Sequence, residues 1–178
     1  MRIALLSLCF ISLPLWAGEL QQERVGDATA AKEVTGLLEN FDGGELSAFE
    51  LKPTGSILIG DPDVRTHLYG KPVIVERKID HRETADMLQA LLKKPESYGY
   101  EGRGTFKPSI AFRIEKNSKT IEVLICYTSG WMAVHKGPVK YFYALTPESI
   151  KGFRVLEDYC FPERLQTATG NEEKKKEE

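Results

Sequence analysis

The chain has 178 residues, enough for one domain with a real core. Its 24 Lys and Arg stand against 26 Asp and Glu, giving a formal charge of −2 and a pI near 6.0. That balance gives no electrostatic case for nucleic acid as a partner.

The N-terminus reads as a secretion signal over residues 1–17. Arg2 precedes an apolar run, Ile3–Leu15, that is too short to cross a bilayer as a helix. Ala17 and Gly18 follow, and polar sequence starts at Glu19, so cleavage after Ala17 is expected, with Leu15 larger than usual at the −3 position. The alternative is a buried N-terminal strand or a retained anchor. Leu6-Ser7-Leu8-Cys9 is not read as a lipoprotein box, because it comes too early and a bulky Leu8 precedes the cysteine. Once the signal is removed, no membrane span remains.

Residues 18–45 read as a partly disordered leader, with a short helix suggested by Val34, Leu37, Leu38 and Phe41 and ended by Asp42-Gly43-Gly44. A single domain is expected over 46–166. Leu46–Leu51 and Ser56–Ile59 are candidate strands, Asp61-Pro62-Asp63 a turn, and Val73–Ile79 a clearer strand after Gly70-Lys71-Pro72. A helix then runs over Arg82–Lys94. Asp80 stands as its cap with Glu83 three residues on, and Met87, Leu88, Leu91 and Leu92 form its stripe before Pro95 stops it. Residues 97–105 form a loop with three glycines.

From Lys107 to Leu145 the chain predicts an antiparallel β-meander. Turn signals at Asn117-Ser118, Ser129-Gly130 and Lys136-Gly137-Pro138 separate four runs. Ile110, Phe112 and Ile114 share one face, opposite Ala111, Arg113 and Glu115. Ile121, Val123, Ile125 and Tyr127 oppose Glu122, Leu124 and Cys126, and this run, apolar on both faces near its end, belongs in the middle of the sheet. Val139, Tyr141 and Tyr143 oppose Lys140, Phe142 and Ala144. Thr146-Pro147 then opens a second helix over about 147–159, carrying Ile150, Phe153, Val155 and Leu156 and interrupted by Gly152. Residues 167–178 read as a disordered charged tail. This order of elements predicts an α+β fold, an antiparallel meander sheet covered by one or two helices.

No catalytic motif emerges. Ser129-Gly130 lies in a hairpin rather than in a nucleophile elbow. His67, His81 and His135 lack metal-ligand spacing from one another, and Asp61 and Asp63 lack the further oxygens of a calcium loop. No catalytic residue, metal or cofactor is assigned. The candidate binding residues are Tyr98, Tyr100 and Arg103 in the glycine loop, with Trp131 and His135 in the meander. The meander aromatics Tyr127, Trp131, Tyr141, Phe142 and Tyr143 read as core or cross-strand pairs, or else as a partly exposed platform.

The two cysteines left after signal removal, Cys126 and Cys160, admit two readings. One is a bridge closing a loop of about 34 residues, contributing roughly 3–4 kcal/mol. The other is two unpaired buried thiols.

Three stretches carry a resemblance: Leu92-Lys93-Lys94-Pro95-Glu96-Ser97-Tyr98, Phe106-Lys107-Pro108-Ser109-Ile110-Ala111-Phe112 and Leu124-Ile125-Cys126-Tyr127-Thr128-Ser129. Over about a quarter of its length the chain resembles a group of uncharacterised bacterial exported proteins with an Ile-Cys-Phe-x-Cys-like strand. Ser129 stands where that pattern has a second cysteine, and Thr105 where it has another. The resemblance implies export but no activity.

The expected function is that of a small exported protein, non-catalytic, serving the envelope or binding a partner that is not identified and would be another protein. Two alternatives stand beside it: an inhibitor of a secreted hydrolase, and an enzyme whose site assembles only in three dimensions around His135 or His81.

Overall fold

A computed structural model describes residues 23–24, 28–52, 66–99 and 102–163. The expected signal, the Ser56–Ile59 strand, the Asp61-Pro62-Asp63 turn, Tyr100 and the 167–178 tail lie outside the described residues. The fold is α+β. Its strands are β1 (Glu23–Arg24), β2 (Glu45–Leu51), β3 (Thr66–Leu68), β4 (Lys71–Ile79), β5 (Ile110–Lys116), β6 (Lys119–Cys126), β7 (Trp131–Lys136) and β8 (Val139–Ala144). Its helices are α1 (Ala28–Leu38), α2 (Arg82–Lys93) and α3 (Pro147–Cys160).

The predicted meander forms as β5-β6-β7-β8, each strand antiparallel to the next. Asn117 and Ser118 make a two-residue turn with φ of 50° and 59°, the backbone that a tight hairpin demands. The whole sheet runs β1-β8-β7-β6-β5-β2-β4-β3, so β6 is central as its two-sided apolar character requires. β2 pairs with both β5 and β4, and β1 adds parallel to β8.

Strand alternation divides the sheet into two faces. The inner face carries Ile110, Phe112, Ile114, Ile121, Val123, Ile125, Met132, Val134 and Tyr143 into one core with all three helices. Leu88 and Leu92 of α2 and Phe153, Leu156 and Cys160 of α3 fill that core. Gly152, which weakened the sequence case for a helix, has its reason here. A Cβ would lie 2.7 Å from Leu91 Cδ2, so any larger residue here would require the Leu91 side chain of α2 to move aside. Thr146 caps α3, its Oγ1 accepting from the Ser149 N–H at 3.4 Å.

Several expectations need correction. α1 lies within the expected leader, yet its Ala30, Ala31, Val34 and Leu38 are buried in the core, and β2 begins at Glu45. The folded unit therefore starts before residue 46, and three helices cover the sheet. The cap of α2 is His81, one residue past Asp80, and it makes no side-chain cap bond. Val155 faces outward.

Of the two readings of the cysteines, the structure has the second: Cys126 and Cys160 are both buried and free. Ile125 points into the inner core, so its neighbour Cys126 points to the outer face, whereas Cys160 is packed in the helix layer. The sheet stands between them.

Candidate functional site

The outer face is built differently from the inner one. One row of residues crosses it in register: Phe49, Ala111, Leu124, Ala133 and Phe142, an apolar cluster joined by Leu51, Leu68, Val73 and, partly buried, by Phe106 and Trp131. One pleat nearer the hairpin tips, a second row is polar. Arg113, Glu122, His135 and Lys140 sit side by side on β5, β6, β7 and β8.

Glu122 is only 5% exposed, and Arg113 holds it with N–H donors 2.7 Å from Oε1. The Arg113 guanidinium also lies 4.8 Å from the Phe49 ring centre. Lys140 reaches the other way, its ammonium 4.4 Å from the Phe142 ring centre. His135 is 6% exposed, and its Nε2 has no hydrogen-bond partner. Burial first, then the Lys140 charge, pushes its pKa down to about 4.

Tyr69 covers this row. Its ring stacks on the His135 imidazole with centroids 3.7 Å apart. Tyr69 and Gly70 form the β3–β4 turn with φ of 48° and 71°. Asparagine or glycine suits that turn, and a bulky side chain there is strained. Tyr69 is nonetheless 48% exposed, so hydrophobic burial alone does not account for it. Burial first, then the nearby Glu122 carboxylate, raises its hydroxyl to about 12. Beside it opens a cavity of about 440 Å³ lined by Tyr69, Glu122, Ser118, Thr120, Lys119 and Lys136, among others.

A second locus sits at the far end of the same face. Residues 102–107 cross the outer face over the β6–β7 turn. Gly102 lies flat on Trp131, where a Cβ would meet the indole at 2.5 Å. Phe106 packs edge-on against Phe142 at 5.4 Å. Beneath this segment the Cys126 sulfur receives the Lys107 N–H at 3.3 Å and lies 3.4 Å from Thr128 Oγ1 and 3.9 Å from the Thr105 carbonyl. Burial pushes the thiol up, but the Ser129 and Thr128 hydroxyls and the Lys107 and Ser129 N–H groups favour the thiolate more strongly, and the net shift is downward.

The sequence-chosen residues do not converge. Tyr98 is on the inner side: it is buried, packed edge-on against Tyr143 at 5.8 Å, and its hydroxyl donates to the Leu92 carbonyl. It is a core residue rather than part of an open loop patch. Arg103 is exposed, and its N–H donates to the Ser129 carbonyl at 2.8 Å. Trp131 is half-buried under Gly102, and His135 lies four residues further along the same strand face, roughly 13 Å away. The meander aromatics divide between the faces and form no single platform. His67 and His81 are exposed. Among the described residues no three His, Cys, Asp or Glu side chains form a metal-holding group, and none of the helices is long and apolar enough to cross a membrane.

Tyr69, Arg113, Glu122 and Lys140 were missed as a set. The available signals were a Tyr-Gly pair where a hairpin favours Asn-Gly, and opposite charges on the off-face of two apolar strands.

No protein-family model matches the chain, and no curated protein matches it. Among solved structures it is similar to a Clostridium perfringens protein provisionally described as a lipoprotein, at 17% identity and a TM-score of 0.46, over 78% of this chain and 98% of that one.

Proposed function

We propose that this is an exported, non-catalytic binding protein of the cell envelope, and that it engages its partner through the outer sheet face at the Tyr69–His135–Glu122 row. Export is supported by the charged, apolar and small-residue pattern of residues 1–17 and by the resemblance of the Leu88–Tyr127 region to exported bacterial proteins. The single observation that carries the binding surface is Tyr69, held in a strained turn over a buried His135 whose Nε2 has no hydrogen-bond partner, beside an open cavity.

The same groups are poorly poised for acid–base catalysis near neutrality. His135, at about 4, is a weak base there, Tyr69 at about 12 is a weak acid, and Glu122 is already paired with Arg113. They are well suited to present fixed polar groups to a ligand.

The test places a photo-crosslinking side chain at Lys119, on the cavity rim, or at Lys151, exposed on α3, in the full chain expressed in bacteria. The expected result is mature protein beginning at Gly18 outside the cytoplasm, with discrete crosslinked products from Lys119 and none from Lys151. Retention in the cytoplasm with Met1 intact, or identical patterns at both positions, would overturn the reading.

A further inference from the structure

We propose that the partner bound at the Tyr69–His135–Glu122 row presents an acidic, extended segment, and that Lys116, Lys119 and Lys136 receive its carboxylates. This rests on the reading of that row as the binding surface and names the chemistry of what it takes.

The first observation is a concentration of cations that the fold leaves without counter-charges. Lys116 and Lys119 are the last pair of the β5–β6 ladder, directly opposite each other across the Asn117-Ser118 turn. Lys136 pairs with Ile121, two residues along β6 from Lys119, so Lys119 and Lys136 are diagonal neighbours about 7–8 Å apart. The strand period of two puts all three on one face. Like charges set opposite one another cost stability. Among the described residues none of the three has a carboxylate partner. The Lys116 ammonium donates to the Asp42 carbonyl, and the Lys136 ammonium to the Leu37 carbonyl at 3.4 Å, both neutral acceptors. A chain of formal charge −2 thus keeps three uncompensated cations together.

The second observation is the shape beside them. The cavity of about 440 Å³ is a notch between two hairpin tips, with Ser118, Lys119 and Thr120 on one side and Lys136 and Gly137 on the other. Half-exposed Tyr69 lines its outer lip, together with Glu122. Glu122 does not cancel the lysines, because Arg113 already holds its Oε1 at 2.7 Å. The notch therefore offers ammonium and hydroxyl groups beside an aromatic ring, and an anion laid in it relieves the repulsion among the lysines. Spacing sets the chemical class. Alternate residues of an extended chain carry side chains on one side about 7 Å apart, which matches the Lys119–Lys136 diagonal. Two carboxylates on such residues meet both lysines at once, and the Tyr69 ring gives the segment a flat apolar surface to lie against. Phosphate groups favour arginine forks or the N–H groups of a helix N-terminus, and the described lining of the notch has neither.

The experiment titrates the full chain with the acetylated peptide Glu-Ser-Glu-Ser-Glu, with Lys-Ser-Lys-Ser-Lys and with inorganic phosphate, and follows backbone amides by NMR. The expected result is saturable shifts at Ser118, Lys119, Thr120, Lys136 and Gly137 with the acidic peptide, weakened by added salt, none with the basic peptide, and no saturation with phosphate at the same concentration. Lys116→Gln with Lys136→Gln keeps a donor for each carbonyl and removes both charges, and is expected to weaken binding by about tenfold, the product of two exposed ion pairs. The proposal is overturned if the acidic peptide shifts none of these amides, if the double variant binds it as the parent does, or if phosphate saturates the same amides as tightly. Absence of shifts alongside discrete crosslinking from Lys119 overturns the acidic class and leaves the row as the binding surface. Lysine-dependent shifts without any crosslinked product support the acidic class for this notch and overturn the envelope partner.

Discussion

The two faces of this sheet are made by the same strands and do different work. The inner face is aliphatic and aromatic and packs against α1, α2 and α3, and its tyrosine hydroxyls have protein partners, Tyr98 the Leu92 carbonyl and Tyr143 the Glu33 carboxylate. The outer face holds a smaller apolar cluster, a row of four charged or titratable residues and a thiol, and the three buried polar atoms without a hydrogen bond among the described residues are Ser109 Oγ, Ser129 Oγ and His135 Nε2, none of them in the helix-covered core. Buried polar groups left unpaired are costly and rare, so their concentration outside that core separates a surface shaped by function from one shaped by packing.

The contrast is broken most forcefully from the inside. Phe112→Ala, deep in the inner core, is expected to cost about 3–5 kcal/mol in denaturant unfolding. A smaller loss would mean that the helix layer does not close over the meander as described.

Next comes the ion pair on the other face. Arg113→Ala strands the buried Glu122 carboxylate and is expected to cost about 3 kcal/mol, whereas Arg113→Met with Glu122→Leu removes both charges and is expected to lie within about 1 kcal/mol of the parent. If the double variant is as unstable as the single one, the pair contributes to the fold itself, and the two faces are less distinct than drawn.

His135 gives an effect of similar or smaller size that depends on pH. Its folded pKa of about 4 is below the 6.5 of the unfolded chain, so the unfolded state binds more protons between those values. Stability therefore falls as pH drops from 6.5 toward 4, by at most roughly 3 kcal/mol, and is level below that. His135→Phe is expected to flatten this part of the curve, and an unchanged slope would assign it to other groups.

The smallest effect is expected at Tyr69. Tyr69→Gly relieves the strained turn and loses the ring over His135, two opposing changes of about 1 kcal/mol each. Its stability should hardly move, while crosslinking from Lys119 should fall.

Much of the inner face was legible in the sequence. The period of two from Ile110 to Ala144 and the Asn117-Ser118 turn specify the meander and its core-facing side before any contact is known. The short helix suggested by Val34, Leu37 and Leu38 is present as α1, but its start at Ala28 and its place in the core were not seen, because Ala30 and Ala31 are too small to register as an apolar stripe, although both are buried. The insertion of β2 between β5 and β4 and the parallel addition of β1 leave no local trace, since they are long-range pairings. The outer row was hidden for a related reason. Tyr69 reaches His135 only through the sheet order, and Arg113 meets Glu122 only through the strand register. The choice between a bridge and two free thiols stayed open in the sequence on the same ground, because spacing says nothing about which face a cysteine takes.

The claim that the outer face holds a covered, unpartnered histidine is tested most directly by an NMR pH titration of the His135 ring in the parent and in Tyr69→Gly. An apparent pKa near 4 in the parent, rising when the Tyr69 ring is removed, is the predicted result. A His135 that titrates near 6.5 in both proteins would contradict it.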